Sequence, residues 1–281
     1  MRPSATAPGE YDLVIEPGKG YGQYWRDLLA YRELFYFLSW RDILVRYKQT
    51  AIGVAWAVIR PLVTMVVFTV IFGVLAKFPS DGVPYPILVY TAMLPWQLFS
   101  NALTETSSSL INNAPMLTKV YFPRLIIPFS AVIVSLVDFF ISFVILGALM
   151  AWYRFVPGWQ FVTLPLFLLL AVAASFGFGL WVATLSVKYR DFRYVVPFLV
   201  QIGLYVSPVG FSSSVVPEKW RLLYSLNPMV GVIDGFRWAI LGGSHRLYWP
   251  GLLLSTALVA LTCVLAVRYF RNTERNFADI I

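Results

Sequence analysis

The sequence predicts an all-α polytopic membrane protein: six transmembrane helices, an N-terminal amphipathic interface helix, and short re-entrant helices between the fifth and sixth spans. Of its 281 residues, 59% are hydrophobic and 13% are charged, whereas soluble domains are about 45–50% apolar and about 25% charged. Four stretches contain no Asp, Glu, Lys or Arg: residues 82–104, 155–187, 194–217 and 247–267. A helix needs about 20 apolar residues to cross a bilayer, so each stretch is long enough to form one.

Two segments precede the first span. Residues 1–23 are polar and rich in Pro and Gly, unlike a secretory signal, and are predicted to be a flexible N-terminal segment. Residues 24–48 are predicted to form a helix along the cytoplasmic membrane surface, with Arg and Lys near anionic headgroups; a soluble docking helix is the alternative. Advancing about 100° per residue groups five residues in one uncharged sector: Leu29, Tyr36, Trp40, Ile43 and Tyr47.

The transmembrane domain is predicted to cover residues 54–281. Its six spans are placed at residues 54–76, 84–104, 125–152, 161–187, 194–213 and 248–268. An even number of spans puts both termini on one side of the membrane. That side carries fifteen Lys and Arg, and the other side carries six: Lys77, Arg154, Lys219, Arg221, Arg237 and Arg246. The positive-inside rule therefore predicts cytoplasmic termini.

Two short helices are predicted on the outer face, within residues 217–241. Pro217 suits the first position of a helix, and Asn227-Pro228 ends that helix. A second helix would run from Pro228 to Leu241 and be closed by Gly242-Gly243. Both helices are apolar but too short to span the bilayer, which indicates a re-entrant hairpin buried in protein.

The sequence argues against an enzyme. The only Gly-Lys pair, Gly18-Lys19, lacks the rest of a phosphate-binding loop. The single His245 excludes a zinc site built on two histidines, and the single Cys263 excludes an intrachain disulfide. The net charge of +8 is interpreted as an orientation signal of a membrane protein rather than as a sign of nucleic-acid binding. No cofactor, metal site or catalytic residue is predicted on this chain.

Two charged residues fall inside predicted spans. Asp138 lies near the middle of the third span, where a carboxylate costs about 2.5–3.5 kcal/mol and must face protein or water. It either lines a pathway or forms an interhelical hydrogen bond. Arg60 lies about two turns into the first span. It either reaches back to cytoplasmic lipid phosphates or contacts an anion at a substrate entrance.

A series of short motifs follows in order between about residues 40 and 240. They are Trp40-Arg41-Asp42-Ile43, Arg46-Tyr47-Lys48-Gln49-Thr50-Ala51-Ile52-Gly53, Ala55-Trp56, Arg60-Pro61, Leu94-Pro95-Trp96 with Phe99, Lys119-Val120-Tyr121-Phe122-Pro123-Arg124, Tyr189-Arg190-Asp191, Ser207-Pro208-Val209, Asn227-Pro228-Met229 and Phe236-Arg237. Together the motifs resemble the membrane subunit of type-2 ABC exporters, specifically the O-antigen and polysaccharide permeases.

This resemblance implies a homodimeric permease in the bacterial inner membrane that works with two copies of a separate ABC ATPase subunit. ATP and Mg would bind to that partner. The implied substrate is a polyprenyl-diphosphate-linked glycan, with O-antigen as the first choice. A capsule or teichoic acid exporter permease, an ion-coupled carrier and a membrane enzyme are the alternatives.

The resemblance also implies roles for individual residues. Residues 24–48 would dock on the ATPase, and residues 49–53 would form a gate loop. The implied substrate entrance comprises Gln49, Thr50, Ile52, Gly53 and Arg60. The implied ATPase contacts are Arg41, Arg46, Lys119, Tyr121, Arg124, Arg190 and Asp191. The helices of residues 217–241 would form an outer gate.

Aromatic side chains are the candidates for the wall of a glycan channel. Their flat faces stack on sugars while they offer few strong hydrogen bonds. The candidates are Trp56, Phe68, Phe72, Tyr90, Trp96, Phe99 and Tyr205. Packing against lipid or membership of the interfacial aromatic belt is the alternative for each.

Overall fold

The computed structural model describes residues 21–48, 53–80, 82–189, 191–242, 246–274 and 277. Every regular element in these ranges is helical. The helices are α1 (Tyr21–Ala30), α2 (Arg32–Lys48), α3 (Gly53–Phe68), α4 (Tyr85–Asn112), α5 (Ala114–Lys119), α6 (Ile126–Trp152), α7 (Leu164–Lys188), α8 (Phe192–Val206), α9 (Glu218–Tyr224), α10 (Pro228–Leu241) and α11 (Trp249–Thr273). A π-helical segment, Thr69–Leu75, continues α3, and 3-10 turns occupy Trp159–Thr163 and Ser213–Val215.

The all-α polytopic fold class is confirmed. Four helical segments of the described chain are long and apolar enough to cross a membrane, namely Val58–Leu75, Ile126–Trp152, Trp159–Lys188 and Trp249–Thr273. They correspond to the predicted first, third, fourth and sixth spans. The α4 helix has 28 residues but a polar second half, and α8 has only 15 residues. The count of six spans therefore stays a prediction.

The α4 helix lies at the centre of the fold. It packs against α6, α7 and α10, and α11 packs on α7 and α10. Eighteen of the 28 residues of α4 are buried, so this helix contacts mainly protein rather than lipid. The α8 helix lies at the periphery, and Val196 is its buried residue.

Two predicted helix ends on the spans were wrong. The fifth span was expected to reach residue 213, but α8 ends at Val206 because Ser207 is extended and Pro208 follows it. The second span was expected to end at residue 104, but α4 continues to Asn112. The extension is rich in Ser and Thr, whose hydroxyls donate to carbonyls one turn back; Thr104 donates to Ser100 and Ser107 to Thr104. These bonds satisfy the hydroxyl groups within the helix.

The predicted interface helix is two helices, α1 and α2, with an interruption at Tyr31. The Tyr31 N–H still donates to the Asp27 carbonyl, so the interruption is a small bend. The uncharged sector of this region changes environment along its length. Leu29, Tyr36 and Trp40 are half or more exposed, whereas Ile43 and Tyr47 are half-buried. The C-terminal end of α2 therefore turns into the protein.

The two outer helices occur where the sequence predicted them. The α9 helix begins at Glu218, one residue after Pro217. The side chain of Asn227 accepts a hydrogen bond from the Met229 N–H and thereby caps α10. The α10 helix ends at Leu241, where Gly242 has a φ of 64°, a backbone conformation that glycine adopts without a steric penalty.

The α10 helix is almost entirely enclosed by protein. Twelve of its 14 residues are buried, as expected for a helix of a re-entrant hairpin. Arg237 is among them and is fully buried. Its guanidinium donates to carbonyl groups inside the protein. The count of fifteen Lys and Arg against six therefore includes one outer arginine that is enclosed by protein, and the predicted orientation stays a prediction.

Candidate functional site

A cavity of about 660 Å3 lies between the C-terminal end of α2 and helices α3, α4, α6 and α8. Its lining combines Trp and aliphatic side chains with amides, hydroxyls and three charged groups. The polar lining residues are Arg46, Tyr47, Arg60, Thr64, Gln97, Ser100, Asn101, Ser135, Asp138, Ser142 and Gln201. A concave space with a few convergent polar groups is the usual form of a ligand site, so this cavity is the candidate site.

Asp138 is the buried acid of the cavity. Its side chain is 10% exposed and lies 2.8 Å from Arg46 Nη2 through Oδ2. The Tyr47 hydroxyl donates to Oδ1, and Asn101 Nδ2 lies 3.5 Å from Oδ2. Asp138 therefore forms the interhelical bonds that were one of the two alternatives, and it also lines a cavity. Its place on a pathway stays a prediction. Partners on α2 and α4 offset the cost of burying this charge.

Tyr47 serves as a hydrogen-bond donor in this cluster. Burial raises the pKa of its phenol above the ordinary value, and the hydrogen bond to Asp138 acts in the same direction. The hydroxyl therefore stays protonated at neutral pH. Two consecutive residues of α2, Arg46 and Tyr47, thus hold one carboxylate on α6.

A second space, which we call the groove, adjoins the cavity. It has a volume of about 490 Å3 and lies between α2, α4 and α6. Its polar lining residues are Arg41, Asp42, Arg46, Glu105, Ser109, Asn112 and Asn113. Arg46 belongs to both linings, and its Nη1 lies 3.2 Å from Glu105 in the groove.

Arg60 lies on α3 in the wall of the cavity. No acidic partner of its guanidinium occurs among the residues that the structure describes. The charged residues of the cavity lining are Arg46, Arg60 and Asp138, which leaves a net positive charge when all three are ionised. This balance favours an anionic ligand, because opposite charges attract.

The predicted channel aromatics fall into three environments. Trp56 and Trp96 line the cavity. Phe99 packs behind Trp96, with ring centroids 5.7 Å apart. Tyr90 is fully buried in the core of the protomer, a position where it packs against protein and has no free face for a sugar.

Phe68, Phe72 and Tyr205 form the third group, which we call the aromatic cluster. The ring of Phe68 lies 5.5 Å from that of Phe72 and 6.3 Å from that of Tyr205. Sequence reasoning missed two further members, Phe78 and Phe211, whose rings lie 5.8 and 6.3 Å from that of Phe72. The cluster joins the π-helical segment to the chain that follows α8.

The π-helical segment Thr69–Leu75 was also not predicted. Its Gly73 packs on the ring of Tyr85, where a Cβ atom would lie 2.8 Å from Cγ. The Tyr85 hydroxyl donates to the Gly210 carbonyl at 2.8 Å. Single π-helical turns often occur at functional sites, and Gly73 beside aromatic residues was the only local sign of this one.

The predicted ATPase contacts separate into exposed and internally bonded residues. Lys119, Tyr121 and Asp191 are exposed. Arg124, in contrast, donates to the Glu274 carbonyl and lies 5.9 Å from the ring centroid of Phe277. Arg41 is 2.7 Å from Asp42 and donates to the Asn113 side chain. Arg46 belongs to the cavity, so all three arginines make contacts inside the chain.

Four predicted site residues lie outside the described residues: Gln49, Thr50, Ile52 and Arg190. Gly53 is the first residue of α3. The gate loop and all of the predicted ATPase contacts therefore remain predictions from the sequence.

The first and last described helices are joined by a second tyrosine–carboxylate contact. The Tyr24 hydroxyl donates to Glu274 Oε2 at 3.1 Å, and the Arg271 guanidinium lies 4.5 Å from the Tyr24 ring centroid. Burial raises the pKa of Tyr24, with a further contribution from Glu274. This contact resembles the Tyr47–Asp138 bond in chemistry but lies outside both the cavity and the groove.

Comparison with known proteins gives one matching family and several curated relatives. The profile of the ABC-2 type transporter family matches residues 33–241. The O-antigen export system permease protein RfbA of Klebsiella pneumoniae is 26% identical over 250 residues, which cover 89% of this chain and 95% of the relative. The protein of the same name from Myxococcus xanthus is 26% identical over 260 residues, covering 91% and 98%. The capsule polysaccharide export inner-membrane protein CtrC of Neisseria meningitidis is 23% identical over 257 residues, covering 88% and 95%.

Proposed function

Because the chain belongs to the ABC-2 type transporter family, we propose that it is the permease subunit of an ATP-driven exporter of a lipid-linked polysaccharide. The observation that carries this proposal is the match to O-antigen export permeases along almost the whole length of both chains. O-antigen is the proposed substrate, moved from the cytoplasm across the inner membrane. A capsular glycan is the second candidate, supported by the similarity to CtrC.

The proposed motor is a separate ABC ATPase, present in two copies, which would bind ATP and Mg. Support comes from the missing phosphate-binding loop and from the end of α5. There Val120 and Tyr121 are 57% and 58% exposed, beside the exposed Lys119. An exposed aromatic side chain next to a charge suits a protein interface. The exposed face of α1 and α2 would provide a second contact.

The proposed assembly is a homodimer. Support comes from α3 and α8, which lie at the periphery and expose many large apolar side chains. The most exposed of these include Val63, Val66 and Val74 on α3 and its π-helical continuation, and Tyr194, Phe198 and Tyr205 on α8. A second copy would cover part of this surface, and the glycan would pass between the two protomers. Lipid would cover the rest.

The proposed ligand of the cavity is the diphosphate headgroup of the polyprenyl carrier with its first sugar. A space of about 660 Å3 has the size of an ordinary small-molecule site and is too small for a polysaccharide. Arg60 and Arg46 supply the cations that phosphate prefers. Trp56 and Trp96 supply faces on which a sugar stacks.

Deletion and complementation in the source organism test this function. Loss of the chain should abolish the surface glycan and leave the lipid-linked glycan in the cytoplasm, and the wild-type chain should restore export. The tagged permease should also co-purify with an ABC ATPase. Export by the purified chain alone, driven by an ion gradient, would contradict the proposal and favour a carrier.

A further inference from the structure

Arg46 separates the groove from the cavity. It is the residue that the two linings share within the described part of the chain, and its terminal nitrogens bind acids on opposite sides. Nη1 lies 3.2 Å from Glu105 in the groove, and Nη2 lies 2.8 Å from Asp138 in the cavity. The guanidinium therefore lies between two polar spaces of about 490 and 660 Å3.

The two spaces follow each other along the same helices. On α6 the groove is lined by residues between 127 and 134, and the cavity by residues between 135 and 142. On α4 the groove begins at Glu105, and the cavity ends at Asn101, one turn away. The ion pairs of Arg46 lie at this boundary on both helices. A ligand that moved along these helices from the groove into the cavity would therefore pass Arg46.

We propose that the Arg46–Asp138 ion pair is the closed state of a passage that an anionic phosphate group opens by replacing Asp138 on Arg46. Arginine binds phosphate through the same paired N–H groups that it offers to a carboxylate. The exchange therefore preserves the type of bond while it changes the partner. This inference rests on the proposed function. It adds that the negative charge of the substrate opens the way into the cavity.

Asp138 keeps hydrogen-bond partners after the exchange. The Tyr47 hydroxyl donates to Oδ1, and the Asn101 amide lies 3.5 Å from Oδ2. A buried carboxylate that lost every donor would make the exchange costly. With two donors remaining, the Asp138 carboxylate still accepts hydrogen bonds while Arg46 binds the anion.

A second cation in the cavity lining attracts the anion. Arg60 lines the cavity and has no acidic partner among the residues that the structure describes. The cavity lining contains two arginines and one aspartate, so the cavity keeps a net positive charge in the closed state. An anion that has passed Arg46 therefore meets a second cation.

The test uses the complete complex of permease and ATPase in nanodiscs of phosphatidylcholine, whose headgroup has no net charge. The complex is titrated with a polyprenyl diphosphate that carries no glycan, with inorganic diphosphate, and with the uncharged polyprenol as a blank. The half-saturating concentration is measured by stimulation of ATP hydrolysis and, independently, by native mass spectrometry of the bound lipid.

Opposite shifts from the two partners of the ion pair are the expected result. Asp138→Asn removes the carboxylate that competes with phosphate for Arg46, so it should lower the half-saturating concentration of the diphosphate lipid by about tenfold. Arg46→Gln removes the guanidinium that binds the phosphate, so it should raise that concentration by about tenfold or more. Tyr47→Phe takes one remaining donor from Asp138 and should raise the concentration by roughly threefold. Tyr153→Phe removes a tyrosine hydroxyl from the chain between α6 and α7, outside both spaces, and should leave it unchanged.

The outcomes separate the inference from the function beneath it. If Asp138→Asn and Arg46→Gln shift the half-saturating concentration in the same direction, or not at all, the pair is a structural brace and the inference is overturned. If Asp138→Asn does not fold, a decrease in the Tyr47→Phe variant overturns it instead. If inorganic diphosphate and the diphosphate lipid have equal half-saturating concentrations, the exchange is supported, and a soluble anion is sufficient to bring it about. A wild-type complex that responds to no diphosphate refutes the proposed function, and the inference with it.

Discussion

At the residue scale, Arg237 shows how a buried cation stabilises an irregular segment. The chain leaves helical geometry after α8, so its carbonyls need donors from elsewhere. Arg237 donates to the carbonyls of Phe211 at 2.8 Å and Val209 at 3.1 Å, and its Nε lies 3.4 Å from the Leu88 carbonyl. One side chain thus connects α10, the segment after α8 and the first turn of α4.

Replacement of Arg237 should destabilise the protein. Arg237→Met would leave buried carbonyls without donors, at about 1–3 kcal/mol for each unsatisfied group. We expect a drop of several degrees in the unfolding temperature, measured in detergent by intrinsic fluorescence. Arg221→Met is the matched control. Arg221 also donates to two carbonyls, those of Val216 and Ser214, but it is only half-buried, so its loss should cost less. Equal losses would contradict this account.

Arg60 allows a second prediction at this scale. Because Arg60 lines the cavity and phosphate binds arginine through paired N–H groups, Arg60→Gln should reduce glycan export several-fold at unchanged protein level. Arg60→Lys should retain part of the activity, since it keeps the charge but loses the planar fork. Surface glycan is quantified in the complemented deletion strain. Arg154→Gln, an exposed arginine between α6 and α7, serves as the control and should leave export unchanged.

At the scale of elements, α10 depends on glycine for its close packing. Gly231 contacts Ser255 on α11, where an added Cβ would lie 2.6 Å from the Ser255 Cβ. Gly235 lies against the ring of Phe167 on α7, closer than a Cβ atom allows. Small residues let helices approach within membranes. The two glycines lie one turn apart on the same face of α10, and this face contacts both α11 and α7.

The glycine contacts predict opposite effects for two alanine substitutions. Gly235→Ala should destabilise the protein by about 1–3 kcal/mol, because the Phe167 ring must move in a packed core. Gly147→Ala lies in the interior of α6 with nothing within 4 Å of the added Cβ. It should be neutral or stabilising by up to about 1 kcal/mol, because alanine favours the helix. Thermal unfolding in detergent distinguishes the two, and a neutral Gly235→Ala would show that α10 packs more loosely than described.

At the scale of the whole molecule, the candidate surface for docking the motor and the candidate ligand site lie at different positions in the fold. The exposed Lys119, Val120 and Tyr121 lie at the end of α5, near the groove, where a motor would dock. The cavity lies further along α4 and α6, and the aromatic cluster joins α3 to the segment after α8. Arg46 and Tyr47 connect these regions, because they lie on an interface helix and reach the middle of α6.

Orientation in the membrane is the prediction at this scale. In a background with Cys263→Ser, a cysteine at Lys219 should react with a membrane-impermeant maleimide on spheroplasts. A cysteine at Lys119 should react only after lysis, because the charge asymmetry places it in the cytoplasm. Both side chains are exposed, so burial does not limit labelling. The reverse pattern would invert the proposed direction of transport.

Local chemistry determined much of this protein from its sequence alone. The charge-free stretches predicted a membrane protein, because no soluble core of this size accommodates them. Pro217, Asn227-Pro228 and Gly242 marked the ends of α9 and α10 correctly, since capping and turn preferences act over a few residues. The order of the motifs also led to the family, because this order is a property of the chain and requires no contact between distant residues.

Tertiary structure alone decided which polar and aromatic residues meet. Asp138 was expected to need a partner, but Arg46 and Tyr47 lie about ninety residues away in the chain, so no local pattern connects them. Helix packing likewise decides that Arg237 and Tyr90 are buried. It also decides that the aromatic cluster includes Phe211. The cavity forms between the helices because of the same packing. Composition predicts that helices enter the membrane, whereas the fit between them decides where a polar space remains.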